Sequence, residues 1–411
     1  MSSEIVVLGG GMIGVSTALA LRQRGHHVTL VDRNAKCAET SYGNAGIIQR
    51  EAIRPYAFPR EWRTLLKIGL GRGNEAHYHL SAMLKLAPRL LRYWMNSAPA
   101  PYARIADGYA RLIAHCIDEH AGWIRQAGAE DLVSRNGWQQ AYRTPALLGS
   151  AAGEARSLAE RFGLQCELLD AAALGRSQPA LRKSMAGAIH WKDPWSIRDP
   201  GELVDRYATL FVKMGGRFLA GDARTLQRSR SGWSVHTAQG VLDAQHAVIA
   251  LGPWSEGATR ALGYRLPLFI KRGYHRHYSD GATLALPLLD IEHGVMLAPM
   301  KRGIRISTGA EFAAHEAPAT PVQLARAEAS TRELLDLGTA VEAQPWLGAR
   351  PCTVDMIPVI GRAPRHEGLW FNFGHGHQGF TLGPASGRLL AELISGDTPY
   401  VDPAPYSPAR F

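Results

Sequence analysis

Residues 4–14 read Glu4-Ile5-Val6-Val7-Leu8-Gly9-Gly10-Gly11-Met12-Ile13-Gly14, and residues 28–33 read Val28-Thr29-Leu30-Val31-Asp32-Arg33. The apolar run at 5–8 predicts a short buried strand, Ile13 to Arg24 a helix with Ser16, Ala18 and Ala20 along one side, and Val28–Val31 a second strand. Together they make a βαβ unit whose turn carries Gly9-x-Gly11-x-x-Gly14 and whose second strand ends on Asp32. In this arrangement the first glycine makes the tight turn, the second admits a pyrophosphate to the backbone, and the third lets helix pack on strand. The helix N-terminus then meets the phosphates and the acid a ribose hydroxyl. An adenosine pyrophosphate is expected there, and these residues alone leave NAD and FAD both open.

The chain around this unit has 411 residues, 46% hydrophobic and 20% charged, which excludes a disordered or collagen-like protein. Gly201–Met214 reads as a helix running into the strand Arg217–Ala220, and Gln245–Leu251 as another buried strand. Residues 50–150 are mainly helical, with Leu80–Asn96 and Tyr102–Gln126 interrupted at Pro88, Pro99 and Pro101. Strands at Tyr274–Tyr278, Gly294–Ala298 and Ile304–Thr308 precede a helix at Pro321–Gly338; Leu369–Phe373 and helix Leu382–Ile394 close the chain. The fold class is α/β, a Rossmann-type domain (residues 1–60, 196–264 and 347–411) interleaved with an α+β domain (61–195 and 265–346) whose sheet is mainly antiparallel. Four well-separated cysteines, Cys37, Cys116, Cys166 and Cys352, show no metal-type spacing and suit a reducing cytoplasm. No secretory signal and no membrane span is expected.

Two further stretches favour FAD. The small-residue loop Thr40-Ser41-Tyr42-Gly43-Asn44-Ala45-Gly46 follows the second strand and permits close approach to a long cofactor. At the far end of the chain Gly374-His375-Gly376-His377-Gln378-Gly379 opens the last helix, where free N–H groups can stabilise negative charge on a reduced flavin. With Glu39-Thr40-Ser41-x-x-Asn44-Ala45-Gly46, Gly348-Ala349-Arg350-Pro351-x-Thr353-x-Asp355-x-x-Pro358-Val359-Ile360-Gly361 and Gly374-His375-Gly376-x-x-Gly379-x-Thr381-Leu382, the chain resembles the FAD-dependent D-amino-acid oxidase superfamily along essentially its whole length. Bacterial D-amino-acid dehydrogenases are the nearest likeness, with D-hydroxyproline dehydrogenase, glycine oxidase and sarcosine oxidase as relatives.

The resemblance implies oxidation of a D-amino or cyclic imino acid by hydride transfer from Cα to flavin N5, the electrons passing to a quinone or other carrier; a glycine or sarcosine type oxidase producing hydrogen peroxide is the alternative. It implies that Arg350 holds the substrate carboxylate, a task for which the planar guanidinium fork is suited; a structural pair with Asp355 competes with that role. His375, His377 and Tyr274 are further catalytic candidates, and Tyr274, Arg276 and Tyr278 face the opposite side of their strand from His275 and His277. Cofactor contacts are expected at Gly9, Gly11, Met12, Ile13, Gly14, Asp32, Arg33, Thr40, Ser41, Asn44, Ala45, Gly46, Ile47, Ala223, Gly252, Gly374, His375, Gly376, His377, Gln378, Gly379, Phe380 and Thr381. The covalently flavinylated sarcosine oxidases carry a cysteine whose position falls near Gly348 here, so a noncovalent FAD is expected.

The net charge of +10 is concentrated: residues 50–111 hold eleven Lys or Arg against four Asp or Glu. No nucleic-acid motif accompanies them. Arg50, Arg54, Arg60, Arg63, Lys67, Arg72, Lys85, Arg89 and Arg92 interleave with Trp62, Leu65, Leu66, Leu84, Leu90, Leu91, Tyr93 and Trp94, the composition of an interfacial amphipathic surface and equally of a solvated helical face. Peripheral contact with the inner face of a membrane is the sharper expectation, and oligomerisation stays open.

Overall fold

The computed structural model of the protein describes residues 2–34, 39–71 and 73–411, apart from the side chain of Lys67. The readings that involve Cys37, Arg72 and the Lys67 side chain lie outside the described residues. Five parallel strands, Arg217–Ser229, His27–Asp32, Glu4–Leu8, His246–Ile249 and Leu369–Phe373, form the centre of an eight-stranded sheet. Antiparallel strands Gly232–Thr237 and Gly240–Ala244 extend one edge, and Val359–Arg362 closes the other. The central strands are apolar on both faces because helices cover one side and the antiparallel edge and its loops the other.

The first helix, Met12–Gln23, and the last, Gly379–Ser395, pack against each other over this sheet. Their approach is set by glycines: a Cβ on Gly383 would lie 2.5 Å from Met12 Cγ, and one on Gly387 2.8 Å from the carbonyl carbon of Ser16. Gly14 is tighter still, its missing Cβ falling 1.7 Å from the Gly9 carbonyl oxygen. The last helix begins three residues before the expected Leu382 and stops at Gly396, whose φ of 74° is the left-handed conformation that glycine adopts without strain.

An eleven-stranded, mainly antiparallel sheet forms the second layer. Its axis is the long strand Leu268–Ser279, flanked by Gly303–Ser307 and by Trp346–Thr353. Among the described residues two of its pairings are parallel, Leu288–Asp290 with Trp138–Tyr142 and Ala310–Phe312 with Ala76–Tyr78. Strand Trp346–Thr353 belongs to this sheet, its ladder running from Trp346 opposite His275 to Thr353 opposite Leu268. The chain returns to the Rossmann sheet only at Val359.

Three helical expectations are corrected. Pro99 and Pro101 lie in the first turn of helix Pro99–Ile113, where a missing N–H costs nothing, and the expected Tyr102–Gln126 segment divides into that helix and Cys116–Gln126. Pro88 leaves Leu80–Asn96 continuous, because Ala82, Leu86, Leu90 and Tyr93 bury one face against Phe269, Cys352 and Val354. The helix expected at Pro321–Gly338 is shorter, Val322–Leu334.

Gly387→Val should force the two main helices apart and cost about 1–3 kcal/mol by overpacking. A thermal melt of the variant matching that of the native protein would contradict this account of the helix contact.

Candidate active site

A cavity of about 1180 Å³ runs along the junction of the two sheets, from Asp32 and Ala223 at one end to Tyr93 and Lys271 at the other. The glycine turn forms its floor. Gly10 N–H donates to Asp32 Oδ2 at 2.6 Å and Asn34 N–H to Asp32 Oδ1 at 2.8 Å, which locks the acid at the mouth of the first limb. Ser41 Oγ accepts from Met12 N–H at 3.0 Å and ties the small-residue loop to the helix start. Gly9, Gly11, Met12, Ile13, Asp32, Arg33, Thr40, Ser41, Asn44, Ala45, Ile47, Ala223 and Gly252 all line the cavity.

Gly374, His375, Gly376, His377, Gly379 and Phe380 line its middle. No side chain caps the helix that starts at Gly379, and its first residues, Gly379 and Phe380, face the cavity, where the positive end of the helix dipole favours an anionic ligand. Burial drives His375 down to about 3 and His377 well below the ordinary imidazole range, the latter helped by Arg350 and Lys271. Both rings are therefore neutral at physiological pH. His375 Nε2 is buried without a partner among the described residues, a polar atom that a flavin edge would satisfy.

The remaining expected contacts stand behind the lining. Gly14 packs on Gly9 and Gly46 on the Ile197 carbonyl, which a Cβ would approach to 2.3 Å. Gln378 and Thr381 hydrogen-bond each other at 2.7 Å and brace Gln49. Tyr274 is the clear correction. Its ring lies in the core with Leu324 and Ala327, and its hydroxyl donates to Glu311 at 3.1 Å, on the face of the strand turned away from the cavity. Lys271 and Gly273 face the cavity instead, while His275 on the same side stacks on Trp346 at 4.7 Å, and His277 pairs with Glu342 at 2.7 Å.

Arg350 is half-buried at the cavity wall, with no carboxylate partner among the described residues. Its guanidinium donates to the carbonyls of Arg272, Thr308 and Gly309 at 3.2–3.4 Å. Asp355, the competing acid, is held by Arg410 at 2.7 Å. Cys352 is buried but does not line the long cavity, and Gly348 lies under the Trp346 ring.

Several residues escaped sequence reasoning. Lys271 is almost fully buried with its ammonium 2.9 Å from Tyr93 Oη, and the Tyr56 ring lies tilted against His377 with centroids 4.7 Å apart. Glu51 accepts from Trp138 Nε1 and Gln49 Nε2, both at 2.8 Å, and burial pushes its carboxyl up to about 7. His77, His79 and Glu311 converge within 4.8 Å, but Glu311 is committed to Arg272 and Tyr274. For Lys271 the only sequence signal is its two-residue offset from Gly273, which puts both on one strand face.

This long, glycine-floored cavity between a Rossmann sheet and an antiparallel sheet defines a dinucleotide-dependent oxidoreductase. The chain belongs to the FAD dependent oxidoreductase family DAO, whose model matches residues 4–393. It is 30% identical to a D-amino acid dehydrogenase of Chromohalobacter salexigens over 426 residues, covering 99% of both chains. A D-amino-acid oxidase of Bradyrhizobium diazoefficiens is 27% identical, again over 99% of each. In structure it resembles glycine oxidase from Geobacillus kaustophilus, with a TM-score of 0.74 at 18% identity over 100% of this chain and 99% of that one. FAD is the cofactor of the family, and the cavity's length, its glycine floor and the unpartnered His375 Nε2 fit it.

With Cys352 outside the cavity and Gly348 offering no thiol, acid precipitation of the holoenzyme should release all of the flavin; colour retained on the pellet would contradict this. Glu51 makes a second prediction. Its carboxyl ionises near 4.5 when unfolded and about 7 in the fold, so the native state holds one proton more between those values and stability falls as pH rises through them. Glu51→Gln should flatten the pH dependence of Tm across that window, and an unchanged slope would refute the assignment.

Proposed function

We propose that the protein is an FAD-dependent dehydrogenase of a D-amino or cyclic imino acid, with Arg350 binding the α-carboxylate. The observation that carries this reading is a half-buried guanidinium at the cavity wall that has carbonyl partners and, among the described residues, no acid of its own. A carboxylate is the ligand such a fork is shaped to take.

Bound in the long limb, FAD supplies the two-electron sink. The substrate gives up its Cα hydrogen with the bonding pair and one N–H proton, leaving an imino acid that water hydrolyses or that stays cyclic. The chain's own part is positioning and electrostatics. Arg350 and Lys271 create a positive field in a buried space, which disfavours the ammonium form of the substrate and yields the neutral amine that the reaction needs. A dedicated base is then unnecessary, and the neutral His377 beside Tyr56 shapes the wall.

The electron acceptor is read from the outer surface. Leu80, Leu84, Leu91 and Met95 are exposed along one face of helix Leu80–Asn96, Leu84 to 85%, opposite the face that buries Leu86, Leu90 and Tyr93. Trp62 and Leu66 are likewise exposed on helix Trp62–Gly69, whose Leu65 and Ile68 line the cavity. Exposed Arg60, Arg63, Lys85 and Arg92 border these apolar residues, whereas Arg54 and Arg89 are paired with Glu154 and Glu256. No helix among the described residues is long and apolar enough to cross a membrane. The patch suits an anionic bilayer surface where a quinone collects electrons.

Arg350→Ala should cost roughly 3–5 kcal/mol in kcat/KM with amino-acid substrates, on the scale of one broken buried charge pair; near-native kcat/KM in a dye-coupled assay would sink the assignment. The same assay in air separates the two acceptor classes, since turnover to stoichiometric peroxide identifies an oxidase. Co-sedimentation with anionic vesicles at low salt should be lost in the Leu84→Asp/Leu91→Asp double variant, and indifference of the native protein to such vesicles would remove the membrane reading.

A further inference from the structure

The substrate end of the cavity holds two cations, Lys271 almost fully buried and Arg350 half-buried, and among the described residues no acid forms an ion pair with either. Lys271 and Arg350 are cross-strand partners in the ladder between Leu268–Ser279 and Trp346–Thr353, so their side chains leave the sheet from one face. Their heads then part. The Arg350 guanidinium lies over Gly273, where a Cβ would come within 2.4 Å of Nη1, and reaches the carbonyls of Thr308 and Gly309. Lys271 turns the other way, to Tyr93 Oη at 2.9 Å and over the Tyr93 ring at 4.4 Å.

Substrate carboxylate answers only one of these charges. An ammonium buried among Tyr93, Phe269 and Phe312 with a single neutral acceptor is expensive to keep unless a ligand anion neutralises it. We propose that the site is built for an amino or imino acid with a second anionic group, the α-carboxylate meeting Arg350 and the side-chain anion meeting Lys271. The proposal rests on the dehydrogenase reading above and names the substrate class within it. Because the two heads diverge from neighbouring backbone positions, the ligand must carry its anions at its two ends, as an acidic amino acid does. The division of labour follows the chemistry of the groups: the planar fork fixes the orientation of the reacting end, and the compact ammonium accepts an anion on a flexible side chain.

The test compares isosteres on the holoenzyme. For D-glutamate against D-glutamine and D-aspartate against D-asparagine, the better acid should exceed its amide in kcat/KM by at least about tenfold. Lys271→Met should collapse that ratio toward one. A native ratio of one or less, or a ratio that Lys271→Met leaves unchanged, overturns the proposal. Spectral titration of the bound flavin with glutarate and pentanoate reads the same site without turnover. Glutarate should bind at least about tenfold more tightly in the native protein and lose that advantage in Lys271→Met; equal affinities in the native protein overturn the two-anion site. If no amino or imino acid bleaches the flavin while glutarate keeps its advantage, the dehydrogenase reading fails and the two-anion site stands. If amino acids bleach it with no preference for the acidic ones, the reverse holds.

Discussion

Contact between Gly14 and the Gly9 carbonyl is the constraint on which the molecule turns. Any side chain at Gly14 would occupy the space of that oxygen, and any at Gly9 would meet the Ala250 carbonyl at 2.4 Å. With both absent, the first helix closes on the first strand, and its N-terminus opens onto the floor of the cavity. The last helix can then lie on the first through Gly383 and Gly387, which brings residues 374–379 over that floor. Cofactor limb and hydrophobic core are consequences of one close approach.

Features that depend on local spacing were legible in the sequence, and those that depend on partners were not. Gly9-x-Gly11-x-x-Gly14 with Asp32 declares its geometry within thirty residues, and Gly374 to Gly379 marks a helix start by composition. Arg350 is recognisable from its motif, but the strand that carries it pairs with the second sheet, a choice made by register with Leu268–Ser279. That register also decides which face of the long strand meets the cavity. Alternation alone divided Tyr274 from His275 without saying which set turns inward, and the answer came from Leu324 and Ala327 closing over the tyrosine. Trp138–Tyr142 and Gly187–Trp191 carry no clean alternation, since both faces of these strands are covered.

Charge shows the same division. The excess of basic residues was visible as a count, but its partition needs coordinates. Arg54 and Arg89 are spent on ion pairs, Arg60 and Arg63 lie over tryptophan rings, and the cations at the substrate end of the cavity, Lys271 and Arg350, belong to other segments. Burial holds the two histidines of the terminal loop below the ordinary imidazole range and keeps their rings neutral.

The interleaving of the two sheets bears on the order in which the chain is made. Strands Glu4–Leu8 and His27–Asp32 emerge first from the ribosome, yet their neighbour His246–Ile249 and its flank Leu369–Phe373 come from far downstream. The first helix waits for its cover until Gly379–Ser395 has been synthesised. An N-terminal fragment therefore holds the phosphate turn without the walls that close around a flavin, and cofactor capture belongs to the completed polypeptide rather than to the nascent one.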